Sequence, residues 1–508
     1  MSTKAFQKRK QDDEDDEEVV LGNDEEPAER GGGVTEQNQQ ERRRHHHHLH
    51  LPTVTIFSSI DNIGQALRDK QNEIIRQQQQ EDEDDATKSG SIVLFPPTLV
   101  EIVDTEALSG YGGTVVFDPT IMSHRTIQQL NDCEILITEP HVLGKLLKYM
   151  NHQEGKGGGD GDGSKVTLTL AKLRWCQSTY AGADTLFSKD DGDNNENTIK
   201  PPNFIVTRFA GAFGPPIAEW CIGRIIEYER SFYQSHLDQA RREWINNSSK
   251  VLKYRYLSDL TLCIVGCLGD IGTNIARVAK TAFHMNIIGI VRTDLQEQEF
   301  DHYQQQRTSG ISSSTTCNHH DNHSKRRKIT NEHDDDNKYK YYDVCTTSLK
   351  YGMQHCDYII SVLPPTKETR NLFTKEVFSF GNKHRGGKCP VFINVGRGDV
   401  IAPSTSSAPS TSASAESSSS LPPSSPSSSY TICNALDNDD LSHVILDVFE
   451  LEPLPSDDIL WVHPEVTISP HVSGLTRSSD VPNLIIDNYQ RYVTGQDLNY
   501  QVNWNKTY

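Results

Sequence analysis

Long apolar runs are missing from this 508-residue chain, and with them any segment that reads as a membrane span. Only 35% of the residues are hydrophobic and the mean hydropathy is −0.60. A large part of the chain therefore lacks the apolar surface that offsets ordering entropy. Pairing signals among the ten cysteines are missing too: no Cys-x-x-Cys pair and no regular framework occurs. That excludes a disulfide scaffold and reads as reduced thiols in an intracellular protein. The first residues have neither the apolar core of a secretory leader nor the basic, acid-poor character of a transit segment, so the cytoplasm is the expected compartment. Net positive charge is absent as well. The balance is −20, with acidic runs at Asp12 to Glu18 and Glu81 to Asp85, and such solvated stretches argue against nucleic acid as the main ligand.

What is present is organised around Leu262 to Asp294. Leu262 to Val265 is a short apolar run that reads as a buried strand. A turn with Gly266, Gly269 and Gly272 follows, and Ile271, Ile275, Val278 and Ala282 then recur at helical spacing. Ile287 to Val291 completes a strand–helix–strand unit. Glycines at such a junction let the backbone approach a pyrophosphate, which then rests on the unpaired N–H groups of the helix start. The spacing departs from G-x-G-x-x-G: counted back from Gly269 and Gly272, the first glycine position holds Cys267, as if one residue had been inserted.

In chain order, residues 1–51 read as a disordered acidic arm, and its Arg42 to His50 tract as low complexity rather than a metal site. Structure is expected from Val54, with a helix over Asp61 to Gln80. Apolar segments follow at Ile92 to Phe95, Val115 to Phe117 and Glu134 to Thr138, then a helix over Leu143 to Met150. Pro215 and Pro216 suit the start of a long helix reaching about Trp244. Residues 301–340, with the basic Ser324 to Ile329, and the Ser/Pro/Thr run 402–430 read as surface insertions. The basic run has a bland reading, a solvated patch, and a sharper one, a nuclear-import signal. Removing residues 1–50 and shortening Ser404 to Ser429 should leave activity and melting temperature unchanged, which thermal denaturation of the trimmed protein checks.

Five motifs then stand in order: Trp175-x-Gln-Ser-x-x-Ala-Gly-x-Asp184, the glycine turn, Asp357 to Phe373 with its L-P-P-T-x-x-T, Phe392 to Ile401 with N-V-G-R-G, and the pair Val444 to Pro455 and Val466 to Gly474. Together they resemble the D-isomer-specific 2-hydroxyacid dehydrogenases, in the manner of glyoxylate/hydroxypyruvate reductases. The resemblance implies an α/β enzyme of two Rossmann-like domains, a nucleotide-binding domain inserted into a flavodoxin-like substrate domain. The expected bounds are 52–255 for the substrate domain with its linking helix, 256–465 for the NAD(P)-binding domain, and 466–508 for a return to the substrate domain. It also implies hydride transfer between NAD(P)H and a small 2-oxo acid, and a homodimer. The alternative is a dinucleotide-sensing transcriptional corepressor of the same fold.

Reducing a 2-oxo acid needs a proton donor, a cation to polarise the carbonyl and a held nicotinamide. His471 stands at the family's catalytic histidine, and a histidine can change charge near working pH. Glu452 matches the carboxylate that pairs with it, a negative charge that favours imidazolium. Arg397 matches the catalytic and substrate-binding arginine, whose guanidinium forks onto carboxylate and carbonyl oxygens. The amides of Tyr180, Ala181 and Gly182 match the loop that cradles the substrate carboxylate. For the cofactor the resemblance carries over Gly266, Gly269, Asp270, Ile271, Gly272, Pro364, Thr369, Val395, Gly474 and Asp447, the last facing the nicotinamide carboxamide. Where an acid would bind the ribose of NAD, this chain has Val291 followed by Arg292 and Thr293. An arginine there suits a 2′-phosphate, so NADP(H) is the expected cofactor, with NAD(H) second.

Overall fold

The computed structural model describes residues 51–84, 93–110, 115–155, 166–183, 186, 201–244, 250–312, 337–381, 389–404 and 427–504. The strands are β1 (Val54–Ile56), β2 (Leu99–Glu101), β3 (Leu108–Ser109), β4 (Val116–Phe117), β5 (Ile135–Thr138), β6 (Trp175–Ser178), β7 (Ile205–Thr207), β8 (Thr261–Val265), β9 (Asn286–Ile290), β10 (Val344–Thr346), β11 (Tyr358–Ser361), β12 (Val391–Asn394), β13 (His443–Leu446) and β14 (Val466–Ile468). The helices are α1 (Ile63–Asp84), α2 (His124–Asp132), α3 (Pro140–Gly155), α4 (Gly214–Arg230), α5 (Phe232–Arg241), α6 (Asp270–Phe283), α7 (Asp294–Ser312), α8 (Leu349–His355), α9 (Lys375–Ser379), α10 (Ser428–Asp437) and α11 (Val481–Val493).

Two parallel sheets carry the molecule. The first runs β2-β1-β5-β6-β7 and the second β10-β9-β8-β11-β12-β13-β14. Skipping the β3–β4 hairpin, the first is the 2-1-3-4-5 order of flavodoxin-like sheets; the second begins with the 3-2-1-4-5-6 order of Rossmann sheets. Strands such as β5, β6, β8, β11, β12 and β13 are buried at every position. That is why they read as continuous apolar runs, as strands covered on both faces do. In each sheet the winding reverses once, between β1 and β5 and between β8 and β11. Crevices at such reversals, outside the carboxyl ends of the strands, are where open α/β sheets bind ligands.

The end of the described chain returns to the first sheet. α11 lays Ile485, Ile486 and Tyr489 into the core, the Tyr489 hydroxyl donates to the Pro52 carbonyl (3.1 Å), and Val502 N–H donates to Val206 O (2.8 Å). The Trp-x-Gln pair of the first motif also serves this junction. Trp175 Nε1 donates to Thr207 Oγ1 (2.8 Å), which donates to Gln177 Oε1 (2.8 Å), and Asn488 Nδ2 reaches the same oxygen at 3.1 Å. A buried polar network survives only when each member finds a partner.

Several elements differ from expectation. The first helix runs to Asp84, beyond the Gln80 expected. The strand expected at Ile92 to Phe95 forms instead at Leu99–Glu101, after Pro96 and Pro97. Proline lacks the N–H that a sheet ladder needs. The long helix expected to reach Trp244 is two: at Ser231, with φ 50°, the chain turns left-handed and α5 begins a new direction. The segment 301–312, expected within a surface insertion, is the second part of α7, where Phe300 and Tyr303 are buried and ring-pack on Tyr339. Likewise Ser427 caps α10, Ser428 and Ser429 are buried within it, and Ser404 pairs with Ser427, so the Ser/Pro/Thr insertion spans less than 402–430 and a trim that leaves stability unchanged must stay between Ser404 and Ser427. Its centre, 405–426, and the basic Ser324 to Ile329 lie outside the described residues, as does the arm 1–50. No helix among the described residues is long and apolar enough to cross a membrane.

Candidate active site

The turn between β8 and α6 shows how the odd glycine spacing is solved. Gly266 takes φ 94°, open only to glycine at ordinary cost. A Cβ on Gly272 would lie 2.6 Å from Gly266 O and 2.8 Å from the Cys267 backbone, so this glycine sets how closely the helix packs on the turn. Cys267 is not a loose insertion. Its side chain is buried, its thiol donates to Ile290 O (3.3 Å), and its carbonyl accepts from the Tyr342 hydroxyl and from Thr273 Oγ1 (3.3 Å). Deleting it would therefore open the core under the turn rather than restore a phosphate site.

Above the turn, a Cβ on Gly269 would meet only Gly266 O, at 3.5 Å, and Gly269 is exposed. The N-terminal amides of α6 thus have space over them, as a dinucleotide pyrophosphate requires. The Asp270 carboxylate, at the same helix end, is turned aside: it accepts from Gly214 N–H (3.0 Å) and Asn274 Nδ2 (3.1 Å). Ile271 is half-buried against the core. At the end of β9 the Val291 side chain is buried and Arg292 is exposed, while Thr293 Oγ1 accepts from Gln296 N–H (3.4 Å) at the start of α7. Asp294 turns toward Thr347, whose hydroxyl is 3.4 Å from its carboxylate. Glu368 has its carboxyl held below the ordinary range, first by the Thr366 hydroxyl and in smaller part by the charge of Arg292.

The loop after β11 is self-tied. Thr369 N–H reaches Thr366 Oγ1 (3.3 Å), and the Thr369 hydroxyl donates to Pro364 O, so its side chain is spent on loop shape. Val395 N–H donates to Ser361 O (3.1 Å). A Cβ on Gly396 would stand 2.7 Å from the Leu363 backbone, and one on Gly398 only 1.9 Å from the Phe449 carbonyl carbon. The two glycines let the β12 loop press between its neighbours. Arg397, between them, is thereby fixed beside the Glu450–Glu452 turn, close enough for its charge to act on Glu452.

His471 and Glu452 are in contact. His471 Nδ1 and Glu452 Oε2 lie 2.8 Å apart, and Phe449 N–H holds the other carboxylate oxygen at 2.9 Å. Burial works to raise the Glu452 carboxyl. The hydrogen bond and charge of His471, the Phe449 amide and Arg397 outweigh it and hold the group below its ordinary value. The pair stays accessible, with 42% of the His471 side chain exposed. His471 has φ 53°, a left-handed backbone that its surroundings must hold. They do so through Asp447: its carbonyl accepts from His471 N–H (2.9 Å). Its fully buried carboxylate accepts from Ser469 Oγ (2.6 Å), Val472 N–H (2.9 Å) and Ser473 N–H (2.9 Å). Asp447 thus closes the end of β13 and pins the histidine turn. Gly474 packs on α4, where a Cβ would meet Ile217 at 2.8 Å.

The substrate-side loop meets this segment directly: Thr476 Oγ1 donates to Thr179 O at 2.8 Å. Tyr180 N–H, however, donates to Ser178 Oγ (3.1 Å), so one of the three amides of the expected nest is spent inside the loop. Ala181 O accepts from Arg208 Nη1 (3.2 Å). Sequence reasoning missed Thr476, Ser469 and Arg208; nothing in their local pattern marks them, since their partners lie 297, 22 and 27 residues away.

Comparison with known proteins agrees with this geometry. The model of the D-isomer specific 2-hydroxyacid dehydrogenase NAD binding domain matches residues 222–316, 324–405 and 428–473. Glyoxylate/hydroxypyruvate reductase A of Klebsiella pneumoniae is 36% identical over 74 residues, 15% of this chain and 24% of the relative. That of Escherichia fergusonii is 40% identical over 68 residues, 13% and 22%. The matching stretch thus spans about a quarter of the length of these relatives. A D-isomer specific 2-hydroxyacid dehydrogenase family protein from Aeromonas salmonicida superposes with TM-score 0.53 at 22% identity, covering 90% of this chain and 100% of that one. An NADPH-dependent glyoxylate/hydroxypyruvate reductase from Sinorhizobium meliloti, solved with NADP and sulfate, gives 0.52 at 17%, with 90% and 100% covered. At these identities the structures speak for the fold.

Proposed function

We propose that this chain, whose residues 222–316, 324–405 and 428–473 match the NAD binding domain of the D-isomer specific 2-hydroxyacid dehydrogenases, is a member of that family and reduces small 2-oxo acids with NADPH, glyoxylate and hydroxypyruvate first among them. The observation that carries the reading is the formed His471–Glu452 pair, 2.8 Å apart, beside Arg397 and in contact with the Tyr180 loop through Thr476. The amides at the start of α6, above Gly269, would hold the dinucleotide, which would supply the hydride. His471 then delivers a proton to the carbonyl oxygen from Nε2, since Nδ1 is committed to Glu452. Arg397 holds the carboxylate and polarises the carbonyl, and the Ala181 and Gly182 amides share the carboxylate. Asp447 keeps the histidine turn in register. Turnover of glyoxylate and hydroxypyruvate by purified protein with NADPH tests this. No oxidation of NADPH with either acid would sink it.

NADP(H) is favoured over NAD(H) by Arg292, exposed at the end of β9 with no carboxylate in the acid position. Two superposing structures, from Sinorhizobium meliloti and Rhizobium etli, hold NADP. Arg292→Ala should weaken NADPH about tenfold or more and leave NADH nearly unchanged, because a charge-assisted contact is lost only with the phosphorylated form. Dissociation constants by nicotinamide fluorescence decide it, and equal losses would refute the preference. A homodimer is favoured by exposed aromatics in the stretch that follows α4: Phe232, Tyr233, Trp244 (95% exposed) and Tyr256. Sedimentation at micromolar concentration should give twice the chain mass. The relatives named above are reductases and dehydrogenases by name, and none is a corepressor.

A further inference from the structure

Four buried polar atoms without a partner among the described residues stand together at the carboxyl ends of β5 and β6: Thr138 Oγ1, Glu139 Oε2, His141 Nε2 and Thr179 Oγ1. Thr138, Glu139 and Thr179 are almost wholly buried, at 0%, 0% and 1% exposure. Buried polar groups in folded proteins nearly always find partners, and each that does not needs a reason. Glu139 is half satisfied. Its Oε1 accepts from Ser58 Oγ (2.8 Å), Ser59 N–H (2.7 Å) and Ser59 Oγ (2.8 Å), which fixes the carboxylate across the gap between β1 and β5. That gap is the point where the first sheet reverses its winding.

The group adjoins the site described above. Thr179 N–H donates to Thr138 O (3.1 Å), Thr179 O accepts from Thr476, and the His141 ring lies 6.0 Å from that of Tyr180. Burial and the charge of Lys145 push His141 down to about 4, so its ring is neutral at physiological pH. The set therefore offers a carboxylate oxygen, a neutral imidazole and two hydroxyls. Of the nearby cations, Lys145 donates to Phe117 O (2.8 Å) and Arg208 Nη1 to Ala181 O (3.2 Å). Such a set accepts a hydrogen-bond donor and opposes a second negative charge.

Resting on the reductase reading above, we propose that Glu139, with Thr138, His141 and Thr179, is a specificity subsite that receives a hydroxyl on the third carbon of the 2-oxo acid. It selects hydroxypyruvate over glyoxylate, which has no third carbon, and over dicarboxylic 2-oxo acids such as oxaloacetate. Sites built to bond a hydroxyl reject analogues lacking it strongly, because the site's own polar atoms are then left unpaired.

Glu139→Gln keeps the oxygen that Ser58 and Ser59 use and puts an amide NH2 where the open carboxylate oxygen stands. The ratio of kcat/KM for hydroxypyruvate to that for glyoxylate should fall about tenfold or more, the scale of one hydrogen bond to a charged group. The ratio to oxaloacetate should fall as well. An unchanged ratio in a folded variant overturns the proposal, as does an equal loss on every acid with a lowered melting temperature, which would make the group a site for structural water. If Glu139→Gln does not fold, Thr179→Val carries the same test. Melting temperatures of the parent with D-glycerate and with glycolate separate the two readings. If the parent reduces no acid, yet glycerate stabilises it more than glycolate and Glu139→Gln removes the difference, the subsite stands and the reductase reading falls. If neither acid is reduced and glycerate gives no such difference, both fall.

Discussion

His471→Ala should lower turnover of the best 2-oxo acid by about 10²-fold or more, the usual scale of general acid catalysis, while NADPH still binds. Glu452→Gln should cost less and act differently. It keeps a hydrogen bond to Nδ1, so the ring stays oriented while the charge of the carboxylate is lost. The carboxyl of Glu452 itself is held low by its partners. Its depressed value means that the pair's contribution to stability is complete above the ordinary carboxylate range and is lost only as pH falls through the lowered value. The pair is therefore intact at neutral pH, and acid should dissolve it late. Rate–pH profiles of the parent and both variants decide the matter; near-normal turnover in His471→Ala would end the assignment.

Arg255→Met should be the most destabilising single change outside the site. Arg255 binds Glu229 on α4 through Nε (3.2 Å) and Nη2, and Asp357 before β11 through Nη1 (2.8 Å), while the Tyr358 hydroxyl donates to Glu229 at 2.6 Å. Burial opposes the charge, but the Glu229 hydrogen bond and the negative charges of Glu229 and Asp357 hold the guanidinium more firmly protonated than usual. Glu229 is only 6% exposed. Removing one member of a buried pair leaves the other charged and unpaired, which costs roughly 3–5 kcal/mol. Replacing both members, Arg255→Met with Glu229→Leu, should recover part of that loss. Urea unfolding followed by tryptophan fluorescence gives both values. A loss near that of an ordinary surface ion pair, under about 1 kcal/mol, would show that water compensates the network.

The site was legible in the sequence because its chemistry travels in short motifs. His471, Glu452 and Arg397 each sit within a few residues of glycines or a proline that shape their loops. Gly398 could be read there as a residue permitting close approach, and the structure shows what approaches: the Phe449 backbone. What could not be read depends on contacts between distant segments. Cys267 looks like an intrusion until Tyr342, 75 residues on, is seen to donate to its carbonyl. Gln177 looks like part of a substrate motif until Asn488 reaches it from 311 residues away. The break at Ser231 was hidden because both flanking segments favour helix, and the left-handed turn between them is a tertiary outcome rather than a local preference. Composition misled at 301–312, where Tyr303 among polar neighbours was too sparse a signal for an amphipathic helix.

Helix α4 was grouped by sequence with the substrate half, yet both its ends are moored to the other one. Asp270 grips the Gly214 amide at its start, and Arg255 and Tyr358 grip Glu229 near its end. A rod clamped at two points takes its position from what clamps it, so the nucleotide half sets where α4 lies. The Thr476 hydroxyl, bonded to Thr179 O, in turn ties the histidine turn to the loop after β6.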